Sequence, residues 1–202
     1  MRSSLYRLYR RIRFGKPIIV VSGLPRSGTS LAMKMLEAGG LPVVTDGVRI
    51  ADEDNPNGYY EDERVKQLHE DVDKAWLRDA KGKGLKIISY LLKRLPSDRN
   101  YKVIFLRRNP QEILKSQAKM LARRGEVSET SDERMLELMK KDLDDARFFL
   151  KRPHFEVLDL HYREALEHPR DLAKRIAEFL AEPLDVEKMA SVVDVKLYRN
   201  QA

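Results

Sequence analysis

Residues 17–40 read PIIVVSGLPRSGTSLAMKMLEAGG, and the reading of this stretch decides the fold. Ile18-Ile19-Val20-Val21 is a continuous, β-branched apolar run, the pattern of a strand buried on both faces, as in a parallel sheet. Gly23-Leu24-Pro25-Arg26-Ser27-Gly28-Thr29-Ser30 follows as a glycine-bearing turn. Leu31, Met35 and Leu36 then recur at helical spacing until Gly39-Gly40 stops the helix. A strand, a turn and a helix N-terminus in that order aim backbone N–H groups and the positive end of a helix dipole at one spot, which suits a phosphate. The stretch has the outline of a P-loop, GxxxxGK[ST], with one departure. Thr29 stands where a lysine would reach the β- and γ-phosphates, and a cation, Arg26, sits inside the loop instead. The bland alternative is a tight turn with its arginine in solvent; strand, glycines, hydroxyls and helix agree against it.

The chain of 202 residues is long enough for one domain with a single sizeable core, 1–202, preceded within it by a basic arm, 1–16. A composition of 42% hydrophobic and 35% charged residues describes a soluble globular protein, for which a cytoplasmic location is the default. No apolar run approaches the ~20 residues of a membrane span or the ~7–15 of a signal peptide. With no cysteine there is no disulfide framework, thiol nucleophile or thiolate metal site. The net charge of +7 is unevenly placed: Arg2, Arg7, Arg10, Arg11, Arg13 and Lys16 precede any acid, leaving +1 for the remainder. The body is therefore not a basic nucleic-acid binder. The arm reads as a solvated leader or as a cationic helix in weak contact with an anionic surface.

Further along, Pro42-Val43-Val44 reads as a short extended piece, and Thr45 to Gly58 as an acidic, turn-rich loop over the C-terminal edge of the sheet. Val65, Leu68, Val72 and Trp76 predict a helix from Tyr60 to Gly82. Leu85–Ile88 and Val103–Leu106 are strands, with a short helix through Leu95 between them. Asn109, Pro110 and Glu112 form a capping-box-like helix start. A long helix spans 132–151, its Met135, Met139, Leu143, Ala146 and Leu150 stripe reading as core. A last strand at Phe155–Leu160, a helix from Pro169 and a short one capped by Asp185 complete the chain. Strands alternate with helices throughout, which predicts a three-layer α/β fold with a mostly parallel sheet.

In a nucleotide triphosphatase or kinase a second strand ends in an acid that holds Mg²⁺. Here Val103–Leu106 ends in Arg107-Arg108, which suit anions. Ser116 lies eight residues after Arg108, about two turns into the next helix, so the two can flank one phosphate. Together with a loop that lacks its lysine, this implies a ligand with two separate phosphate sites and no obligatory metal.

These residues carry a family resemblance. The chain resembles sulfotransferases that use 3′-phosphoadenosine 5′-phosphosulfate (PAPS), whose fold is P-loop NTPase-like. Pro25-Arg26-Ser27-Gly28-Thr29-Ser30 is similar to that family's 5′-phosphosulfate loop, and VIFLRRNPQEILKS, Val103 to Ser116, to its 3′-phosphate motif. Asp159 to Glu164 followed by Pro169 resembles the segment whose tyrosine, here Tyr162, lies near the adenine. The resemblance implies a donor site of Gly23, Ser27, Gly28, Thr29, Ser30, Arg108 and Ser116, with Arg26 stabilising charge on the bridging oxygen. Arg199 would add a cation, although the family's Arg-Lys-Gly signature is absent, and Leu31 replaces a tryptophan found in many members. It further implies metal-independent, in-line transfer of a sulfuryl group to a hydroxyl or amine, leaving adenosine 3′,5′-bisphosphate (PAP).

The base is the weakest part of the pattern. Lys86 matches a strand-borne lysine that many members follow, two residues on, with a histidine; here that position is Ile88. Other members use a carboxylate, and Glu61 is the first candidate, with Asp46, Asp52 and His69 as alternatives and a helix-start carboxylate as the bland reading. His154, His161 and His168 read as structural or surface residues. The acceptor, whether small molecule, carbohydrate or peptide, is not legible. The 45–58 and 126–131 loops are expected to shape its pocket, their acidity favouring a neutral or cationic acceptor. Competing readings are a degenerate P-loop phosphotransferase and a non-catalytic nucleotide-binding module.

Overall fold

The computed structural model describes residues 4–48, 52, 55, 58–70 and 73–194. Its centre is an all-parallel four-stranded sheet of β1 (Ile18–Gly23), β2 (Gly84–Lys86), β3 (Tyr101–Arg107) and β4 (Phe155–His161), in the order β2-β1-β3-β4. The predicted three-layer α/β architecture holds, and the sheet is parallel throughout among the described residues. Every residue of β1 is buried, because the strand has a hydrophobic layer on each side. Ile19 and Val21, with Ile104 and Leu106 of β3, face α2 (Thr29–Ala38), α7 (Pro169–Leu180) and α8 (Val186–Ser191). Ile18 and Val20, with Tyr101, Val103 and Phe105, face α5 (Asp132–Leu150) and the residues around β2. Alternation of side chains along each strand thus feeds two cores at once.

The residues between α2 and β2 depart from expectation. In place of one helix from Tyr60 to Gly82 there are, among the described residues, a single α-turn, α3 (Glu63–Lys66), and two 3₁₀ turns, Gln67–His69 and Ala75–Arg78. Val65, Leu68 and Leu77 are nevertheless buried in one cluster. Their spacing reports a buried face, which short turns supply as well as a helix does. The Asp73 carboxylate accepts from the Ala75 amide at 2.8 Å, a local bond that competes with helix continuation. Val72 lies outside the described residues. Val43 makes an isolated parallel bridge to Gly84, so the extended piece exists without becoming a strand. The segment through Leu95 is a 3₁₀ helix, Ser89–Arg94.

Of the two readings of the basic arm, the helix is the one present. Residues Ser4–Phe14 form a helix, α1, anchored by Arg10. The Arg10 guanidinium donates to Asn100 Oδ1 and to the Arg99 carbonyl, and Asn100 returns a bond to the Arg10 carbonyl. Among the described residues no helix is long and apolar enough to cross a membrane.

Candidate functional site

The site lies where β1 and β3 end side by side, Gly23 pairing with Leu106. A β-carbon at Gly23 would fall 2.4 Å from Ser27 Oγ and 2.5 Å from the Leu106 carbonyl oxygen, so only glycine lets the loop turn this close to β3. Arg26 takes a left-handed φ of 68°, which swings its side chain across the loop. Gly28 sits at the N-cap of α2 with φ 99° and provides no side-chain cap, and the first turn of α2 carries no acid. The amides of that turn are therefore left for an external anion. Gly28, Thr29 and Ser30 line a cleft of about 740 Å³ together with Arg26, Arg108 and Ser116.

The second predicted motif converges on this loop. The end of β3 gives its two arginines different work: Arg107 turns to Asp159 of β4 at 2.8 Å, and Arg108 turns to the loop. The Arg108 guanidinium donates to the Arg26 carbonyl at 3.0 Å and to Glu112 Oε2 at 3.0 Å, and stacks 4.6 Å from the centroid of the Tyr162 ring. That ring lies against Gly28, where a β-carbon would be 2.3 Å from Tyr162 Cδ2. From α4 (Pro110–Arg124), which begins at the predicted Asn109 cap, Ser116 Oγ accepts from Arg26 Nε at 3.2 Å. Arg26, Arg108, Ser116 and Tyr162 are thus in one contact network around Gly28.

Not every predicted donor residue faces the cleft. Ser27 Oγ is buried beneath the loop, and the Ser27 amide donates to the Leu24 carbonyl. Gly23 is likewise a backbone element of the turn. Arg199 lies outside the described residues. Leu31 lines the cleft where many relatives are expected to have an aromatic ring.

Opposite the loop, Glu61 and Lys86 both line the cleft, with Glu61 Oε1 3.4 Å from Lys86 Nζ. Lys86 also donates to the Tyr59 carbonyl, which fixes the ammonium at the end of β2. The alternatives to Glu61 are engaged elsewhere. Asp46 accepts from the amides of Val48 and Glu63, Asp52 accepts from the Tyr59 hydroxyl and the Asn55 amide, and His69 is exposed on a turn. Of the other histidines, His154 is buried against the rings of Tyr101 and Phe155, and His161 and His168 are exposed.

Several residues of the site went unread in the sequence. Asn55 donates to Ser30 Oγ at 2.9 Å and lines the cleft, although its only sequence signal was that of a turn. Glu112, four residues after Arg108, had a signal in its charge and spacing. The far wall was expected from the 45–58 and 126–131 loops. Among the described residues that wall is formed by the Ser89–Arg94 turn, α4 and α5, with Asn55 from the 45–58 loop; residues 49–51, 53–54 and 56–57 of that loop lie outside the described residues. The methionine stripe of α5 is split in its use: Met139 packs with Leu24, Ile113 and Leu114, and Met135 and Met139 also face the cleft. Lys93, Lys119, Arg123, Arg124 and Lys141 make this wall cationic, opposed by Asp142 and Asp145. Asp142 accepts from the Ser89 hydroxyl, and burial raises its carboxyl above the usual aspartate range.

No curated protein matches the sequence. Solved structures do match in fold. The sulfotransferase domain of the Synechococcus PCC 7002 olefin synthase is 16% identical, with 92% of this chain and 83% of that one covered at a TM-score of 0.53. Mouse sulfotransferase SULT7A1, solved with PAP, is 17% identical over 94% of this chain and 67% of its own, at 0.51. Sulfotransferase STF1 from Mycobacterium tuberculosis H37Rv is 14% identical over 96% and 80%, at 0.53. These likenesses establish the P-loop NTPase-like fold. The sulfotransferase domain family matches residues 16–200, a span that includes the loop around Gly28, the Arg108–Ser116 motif and the Glu61–Lys86 pair, and the chain belongs to that family.

Proposed function

We propose that the chain transfers a sulfuryl group from PAPS to a hydroxyl or amine, releasing PAP. The observation that carries this reading is the convergence of two anion-binding elements, the uncapped start of α2 and the Arg108–Ser116 pair, through Arg26. Their donor set, amides with guanidinium and hydroxyl groups, fits a nucleotide with phosphates at its 5′ and 3′ positions. The amides of Gly28 to Ser30 and the hydroxyls of Thr29 and Ser30 would hold the 5′-phosphate, Arg108 and Ser116 the 3′-phosphate, and Tyr162 the adenine.

In this reading Glu61 removes the proton of the acceptor hydroxyl or amine as that atom attacks sulfur. The bond from sulfur to the 5′-phosphate oxygen breaks, and its electron pair stays on the phosphate, where Arg26 stabilises the charge. Lys86 positions Glu61 and adds a cation near the transferring group. The cationic wall formed with α4 and α5 supports an acceptor bearing negative charge, in place of the neutral or cationic one expected from the loops.

Calorimetric titration with PAP, ATP and GTP, each with and without Mg²⁺, tests the reading. A sulfotransferase binds PAP without metal and in preference to the triphosphates. Magnesium-dependent binding of ATP or GTP, with no PAP binding, would assign the site to phosphoryl transfer instead. PAP binding without release of PAP from PAPS across acceptors of every charge would leave a binding module.

A further inference from the structure

Four large apolar side chains are left in solvent on one short helix. On α1, Leu5, Leu8, Tyr9 and Ile12 are 76%, 55%, 57% and 77% exposed, whereas the other exposed apolar residues among those described are scattered. At 100° per residue these four fall within an arc of about 100°. Arg11 borders that arc on one side and Arg13 on the other, both exposed. The opposite face is committed to the protein. Arg10 is held by Asn100 and the Arg99 carbonyl, the Tyr6 hydroxyl donates to the Pro153 carbonyl at 2.6 Å, and Arg7 pairs with Glu156 at 3.2 Å. The helix is therefore fixed in orientation with its apolar stripe outward, and it carries no acid.

We propose that α1 docks the protein on an anionic lipid surface, lying in the plane of the headgroups. The stripe would enter the boundary between headgroups and acyl chains while Arg11 and Arg13 extend sideways to anionic headgroups. A second copy of the chain fits less well, since two such helices would bring arginine rows together with no acid on either to receive them. The docked edge is remote from the cleft. Asn100 and Pro153 precede β3 and β4, so α1 lies at the N-terminal edge of the sheet and the cleft at its C-terminal edge. The cleft would open away from the membrane and remain usable.

The test is co-sedimentation of the full chain with vesicles of phosphatidylcholine alone and of phosphatidylcholine with about 30% phosphatidylserine. The proposal expects binding to the anionic vesicles at least roughly tenfold above the neutral ones, weakened by salt. Both L8S/I12S and R11E/R13E should lose about tenfold of that binding. All these positions are exposed, so the thermal shift given by PAP should be the same in each variant and in the parent, on or off vesicles. Equal binding to both vesicle types, no binding, or anionic binding that survives L8S/I12S would overturn the proposal. A concentration-dependent dimer in sedimentation velocity, abolished by L8S/I12S, would assign the stripe to a second copy and overturn it equally.

Discussion

Arg26 Nε and Ser116 Oγ are 3.2 Å apart although 90 positions separate them in the chain, and this bond joins the loop before α2 to α4. It places the loop's cation beside the hydroxyl assigned to the 3′-phosphate. Removing that hydroxyl in Ser116→Ala should weaken PAP binding by roughly tenfold or more, the scale of one hydrogen bond to a charged group. Isothermal titration measures it directly; an unchanged affinity would remove Ser116 from the donor site.

Arg108 offers a sharper substitution. Its fork is divided between Glu112, the Arg26 carbonyl and the ring of Tyr162, so its geometry is set before any ligand arrives. Arg108→Lys keeps the charge and loses the planar fork. The expected result is a loss of PAP affinity of about tenfold or more together with a fall in Tm, because the same fork holds Glu112 and the Arg26 carbonyl.

The two loop glycines should differ in what rescues them. In Gly28→Ala the new methyl meets the Tyr162 ring, a side chain that can be removed, so Gly28→Ala combined with Tyr162→Ala should recover part of the lost stability. In Gly23→Ala the methyl meets the Leu106 carbonyl, which is backbone, and no second substitution relieves it. Urea unfolding should show each single variant destabilised by about 1–3 kcal/mol or more. Only the Gly28 variant should be rescued.

Glu61→Gln retains the shape of the side chain and removes its ability to take a proton. If Glu61 is the base, turnover falls by about 10²- to 10⁴-fold while PAP affinity stays within twofold or so. Turnover within about twofold of the parent would send the search for a base elsewhere in the cleft.

Asp142 predicts a pH dependence. Burial raises its carboxyl above the unfolded value, Asp145 adds to the rise, and the Ser89 hydroxyl and Lys93 work against it. The folded state thus holds this proton more tightly than the unfolded chain does. Its contribution is fully present below the unfolded pKa and is lost as pH rises through the folded one. Asp142→Asn keeps an acceptor for Ser89 and has no charge to bury, so it should raise Tm at neutral pH. The gain should shrink as pH falls through the folded pKa and vanish below about pH 3, where the parent is protonated in both states. A Tm difference independent of pH would contradict this account.

What the sequence disclosed follows from how local each signal is. Ile18–Val21 and Val103–Leu106 were readable because burial on both faces leaves an unbroken apolar run. Gly23 and Gly28 were readable because a strand-turn-helix junction restricts which residues fit. Arg108 and Ser116 were readable as a pair because one strand end and the following helix fix their separation. The Tyr60–Gly82 segment was misread because a buried face has helical spacing whether short turns or one helix present it. The inward turn of Ser27 and the contact from Asn55 to Ser30 depend on packing between segments far apart in sequence, which no local pattern encodes. The anchoring of α1 rests on Arg10, whose partners lie some ninety residues away, so a row of arginines left a solvated arm and a cationic helix both open.

The most direct test of the account is a crystal structure of the chain with PAP. The account predicts the 5′-phosphate on the amides of Gly28 to Ser30 and the 3′-phosphate within hydrogen-bond distance of both Arg108 and Ser116. A nucleotide bound with either phosphate away from its assigned group, or with its adenine where Arg108 should meet phosphate, would contradict it.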